Sequence, residues 1–80
     1  MSKELKQRLK DNPEATLDEG IDSLRARVQR PETDRIMGLA LVRGLHQAVN
    51  YAEDKRLVTE EKAEQYRETV RSLAEEGGLR

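Results

Sequence analysis

One residue in this chain is of the type that most often moves protons or binds metal near neutral pH, the single histidine His46. A metal site built on it would need companion ligands, and the chain offers neither Cys nor a second His. As a general base it would need a nucleophile within reach, and none of the Ser or Thr residues sits in a recognisable catalytic motif. Its place on the polar flank of a helix, near Arg43 and Glu53, suits an ordinary surface or rim histidine. Glu61, Glu64 and Glu68 recur at i, i+3, i+7 and share one helix face. A hard cation such as Ca²⁺ or Mg²⁺ requires several converging oxygens, whereas side chains on one helix diverge. Even with Glu53 and Asp54 added, a solvated charged face is the simpler reading. The sequence therefore points to no catalysis, no metal and no cofactor.

Two other groups carry chemistry of a weaker kind. Gly38 and Gly44 have neither the GxGxxG nor the Walker spacing and follow no strand, so they cradle no phosphate. Each costs about 1 kcal/mol against Ala in a helix interior, a cost that makes sense where another helix comes close. Arg25, Arg27, Arg30 and Arg35 gather around one turn and could meet an anion or a phosphate backbone. Glu32 and Asp34 share that turn, however, and Arg residues at a helix C-terminus already complement its dipole.

The elements that position these residues read as helices throughout. A first helix is expected over about 3–11, capped by Ser2, with Leu5 and Leu9 one turn apart and Asn12-Pro13 as its stop. A second is expected over 17–30. Thr16 and Glu19 form a capping box there, and Leu17, Ile21, Leu24 and Val28 make a heptad-like seam closed by Pro31. The third, over 34–55 with Thr33 or Asp34 as cap, is central. At roughly 100° per residue, Met37, Leu41, Leu45, Ala48, Val49 and Ala52 fall on one face, while Ile36, Leu39 and Ala40 fall opposite. The fourth, over 60–76, starts at Thr59 and carries Ala63, Tyr66, Val70 and Leu73 as a second seam; Gly77-Gly78 stops it and the tail over 77–80 frays. No alternating strand pattern competes. The expected fold is all-α: one domain over 1–80, a three- to four-helix bundle around the apolar third helix, with a dimer open as an assembly.

These elements also test a helix-turn-helix. With the fourth helix as reader, Glu60, Glu61 and Glu64 would face the phosphates and be repelled. The third helix is too apolar to lie in a groove. Composition narrows the options further. Eighty residues with a net charge of −1 despite 39% charged residues make neither a basic nucleic-acid tail nor an acidic one. Near-zero net charge with periodic apolar residues favours a folded chain over a disordered one. Absence of Cys suits a reducing compartment, and no stretch approaches the ~20 apolar residues of a membrane span. The expectation is a soluble, cytoplasmic protein without membrane attachment. A chain this small buries only about 60% of its unfolded surface, and small domains without disulfides or metals often gain stability by association.

That leaves Ile36, Leu39 and Ala40, which point away from the side that the second and fourth helices would cover. Three covers suggest themselves: the first helix through Leu5 and Leu9, a second copy of the third helix crossing near Gly38, or a foreign protein. With Arg43 beside them these residues form the expected interface. The function expected is a non-catalytic protein–protein interaction module, such as an adaptor, inhibitor or regulatory subunit, either with another protein or as a homodimer. The alternative is a nucleic-acid-associated factor using Arg25, Arg27, Arg30 and Arg35.

Overall fold

The structure is a computed structural model and describes residues 1–30 and 35–78. Among these the chain forms four helices and no strand: α1 (Lys3–Asp11), α2 (Pro13–Val28), α3 (Arg35–Asp54) and α4 (Glu60–Glu76). The expected cap of α3 at Thr33 or Asp34, and the last residues of the expected frayed tail, lie outside the described residues.

Most boundaries among the described residues have a local cause. The Ser2 hydroxyl accepts from the Leu5 N–H at 3.2 Å and opens α1. Pro13 forces Asn12 out of helical geometry and closes it. The same proline opens α2, four residues before the expected start, because its fixed φ and missing N–H suit the first helical position. Thr16 is consequently no cap. It lies inside α2, buried, and its hydroxyl donates to the Arg8 carbonyl at 3.1 Å, joining the Asn12 N–H on that oxygen and tying α2 to the end of α1. The capping-box pattern was met by a different structure because the proline three residues earlier offered a better start. At the other end α2 stops at Val28, two residues short of the expected Arg30.

α3 ends in a Schellman turn. The Leu57 N–H reaches the Ala52 carbonyl at 2.8 Å and the Arg56 N–H reaches Glu53 at 3.0 Å, with Arg56 at φ 59° in the position that usually takes glycine. The Thr59 hydroxyl then accepts from the Lys62 N–H at 3.1 Å to start α4. The Gly77 N–H, donating to Leu73 at 3.0 Å, ends it.

Contacts across the bundle set the helix directions. Glu14 pairs with Lys62 at one end, and Val28 packs on Gly77 at the other, so α2 and α4 run the same way. Arg67 on α4 reaches Asn50 and Glu53 near the end of α3, so α3 runs against α4. α2, α3 and α4 enclose one core, built on Leu17, Leu24, Val49 and Val70, each 1% exposed or less. α1 docks on it through Leu9, which is wholly buried.

Polar contacts around the core are satisfied rather than reactive. The Tyr66 hydroxyl donates to the Asp18 carboxylate at 3.1 Å. Burial, and then that carboxylate, push the phenol's pKa well above its ordinary value. Arg67 donates to Asn50 Oδ1 at 2.8 Å and to Glu53 at 2.5 Å. No buried side-chain N or O among the described residues lacks a hydrogen-bond partner.

Candidate protein-contact surface

α3 holds two environments along one helix. Its second half is enclosed, with Leu45, Ala48, Val49 and Ala52 buried. Towards its start the cover thins: Leu41 and Val42 are half-buried, while Leu39, Met37 and Ile36 are 38%, 49% and 77% exposed. Apart from Met1, these three are the only large hydrophobic side chains exposed among the described residues. They stand next to each other within two turns, beside exposed Ala40 and Arg43.

α3, with 20 residues, is longer than α2 with 16 and α4 with 17, a difference of roughly a turn. Met37, placed by its angle on the core face, is 49% exposed, which corrects the sequence expectation. Gly38 is buried, so at this level the helix backbone is covered while the adjacent long side chains are not.

The first helix is not the cover. Leu5 and Arg8 line a groove of about 290 Å³ together with Leu17, Gly20, Leu41, Gly44, Leu45 and Ala48, further along α3. Leu9 is enclosed by the chain's own core and serves the docking of α1, so it is withdrawn from any external contact; Leu5 is half-buried against the same core. Two glycines have opposite meanings in this groove. A methyl group on Gly20 would come 2.4 Å from Leu45 Cδ2, so Gly20 allows α2 and α3 to approach. A methyl group on Gly44 would meet nothing within 4 Å. The expected close packing is thus absent at Gly44 among the described residues, whereas close packing does require a glycine at Gly20. Its position between Leu17, Ile21 and Leu24 on the buried seam was the available signal.

The remaining sequence candidates are spread over other faces. His46 is half-buried on α3, and no group of three His, Cys, Asp or Glu among the described residues could hold a metal. Of the three α4 carboxylates, Glu64 bonds to Arg67 and Glu68 to Arg71, beside a shallow open concavity. Arg25 pairs with Asp22 at 3.2 Å, while Arg27, Arg30 and Arg35 make interactions of their own. Another concavity, of about 610 Å³ beside the α3–α4 turn, mixes Glu14, Glu53 and Glu60 with Arg56 and Lys62. Two of its acids already face cations, Glu14 against Lys62 and Glu53 against Arg67.

No family model, curated protein or solved structure matches the chain. Among the described residues, no helix is long and apolar enough to cross a membrane.

Proposed function

We propose that the protein is a non-catalytic interaction module that binds protein through the exposed start of α3. The observation carrying this reading is the cluster of Ile36, Met37 and Leu39, the apolar side chains that the chain's own fold leaves in water. Single exposed hydrophobic residues are ordinary. Three within four consecutive residues at one end of a helix, flanked by exposed Ala40 and Arg43, form the kind of patch that marks contact sites. A flexible Met beside branched aliphatics suits an interface that adapts to a partner's side chains. An adaptor, inhibitor or regulatory subunit working in the cytoplasm would need only such a surface.

Capture from an extract of the source cells tests this, using wild type and the double variant Ile36→Glu/Leu39→Glu as baits. Both positions are exposed, so the variant should retain its helical circular dichroism. Proteins bound specifically to the wild type, including untagged copies of the chain itself, should be lost from the variant. Identical recoveries from the two baits would refute the assignment of contact to this surface.

A further inference from the structure

Resting on the contact surface just proposed, we infer that its occupant is a second copy of the chain. Two α3 helices would cross antiparallel over Ala40, with Ile36 of each protomer seated against the partner subunit's Gly44. The strip is self-complementary about Ala40. Ile36 lies four residues before it and protrudes, 77% exposed. Gly44 lies four residues after it, where the space a side chain would fill is open and leads into the Leu5–Leu41–Ala48 groove. Positions i−4, i and i+4 share one helix face, so a two-fold axis through Ala40 sets projection against hollow twice. A patch meeting its own copy in this way is what an isologous dimer requires. Ala40 on the axis is small enough for close approach.

Exposed side chains supply the contact: Ile36, Met37 and Leu39 are 77%, 49% and 38% exposed, beside exposed Ala40. Charge does not oppose it. The two Arg43 side chains start about 9 Å apart along the axis, on helices separated by a further 8–10 Å, beyond the Debye length of about 8 Å at physiological salt.

Sedimentation equilibrium of the full chain at about 5 to 500 µM tests the pairing on wild type, Gly44→Leu, Ile36→Ala and Ile36→Ala/Gly44→Leu. Wild type should move from monomer to dimer. Gly44→Leu fills the hollow and should raise the dimer dissociation constant about tenfold or more. Because nothing among the described residues occupies that space, its thermal midpoint in dilute solution should not fall below wild type. Ile36→Ala alone should weaken the dimer similarly. Combined with Gly44→Leu it should restore the constant to within about threefold of wild type, since the large and small positions have then changed places. A wild type that stays monomeric at the highest concentration overturns the inference, as does a dimer indifferent to both single variants. If the chain stays monomeric while Ile36→Glu/Leu39→Glu still loses captured proteins, the contact surface stands and its occupant is foreign.

Discussion

The two halves of α3 are made of similar residues and meet opposite fates. Around Leu45, Val49 and Ala52, side chains from α2 and α4 close over the helix, and Leu17, Leu24 and Val70 are almost wholly withdrawn from water. Around Ile36, Met37 and Leu39 the same kind of aliphatic surface stays wet. Hydrophobicity therefore does not by itself decide burial in this chain: Ile36 and Leu39 point away from the core face, and Met37 stays exposed although its angle matches the core face. One end behaves as a core and the other as an open surface, and substitutions at the two ends should respond accordingly.

The largest expected contrast is Leu24→Ala against Ile36→Ser. Removing the fully buried Leu24 side chain should cost about 2–5 kcal/mol and lower the thermal midpoint by roughly 10 °C or more. Ile36→Ser in dilute solution should change stability by no more than about 0.5 kcal/mol. Equal losses in urea titrations would abolish the distinction between closed and open ends.

A finer contrast uses two glycines of one groove. Gly20→Ala must displace the buried Leu45 side chain. Overpacking of about 1–3 kcal/mol, against a helix gain of about 1 kcal/mol, predicts a net loss of roughly 1 kcal/mol. Gly44→Ala meets open space and should gain about 1 kcal/mol. Opposite signs in the same denaturation assay are the expected result, and a shared sign would show that the groove is drawn wrongly.

A smaller effect probes the polar edge of the closed end. Tyr66→Phe removes the hydrogen bond to Asp18 and should cost about 1 kcal/mol near neutral pH. The Tyr66 phenol holds its proton more tightly folded than unfolded. Its contribution is thus fully present below the unfolded pKa of about 10 and declines as pH rises from there towards the higher folded value. Wild type should accordingly lose stability above about pH 10 more steeply than Tyr66→Phe. Parallel pH profiles would remove Tyr66 as the cause.

Much of the closed end could be read from residue order, because angle around a helix follows from spacing alone. Leu17, Ile21 and Leu24 on α2, and Ala63, Tyr66, Val70 and Leu73 on α4, repeat at helical period and all prove buried. Thr59 and the Gly77-Gly78 pair bound α4 through short-range contacts that a sequence displays directly. Height along a helix is another matter. Met37 shares its angle with buried residues, yet it stays exposed near the start of α3, and cover at a given height depends on how the helices are set against one another. Thr16 was ambiguous for a related reason: a hydroxyl followed by Glu19 suits a cap, but Pro13 had already supplied the start. Gly20 and Gly44 differ only in what stands opposite them, which spacing along one chain does not reveal. The exposed strip of Ile36, Leu39 and Ala40 was legible from the wheel, whereas the position of α1 further along α3 was not.

The chain places one isoleucine in each region, Ile21 in the core and Ile36 at the open end, so isoleucine-methyl NMR addresses both at once. Labelled protein at low concentration would be titrated first with unlabelled copies and then with extract of the source cells. The account predicts that the Ile36 methyl signal shifts or broadens as a contact forms while the Ile21 signal holds its position. An Ile36 signal that stays sharp and unmoved through both titrations would contradict it.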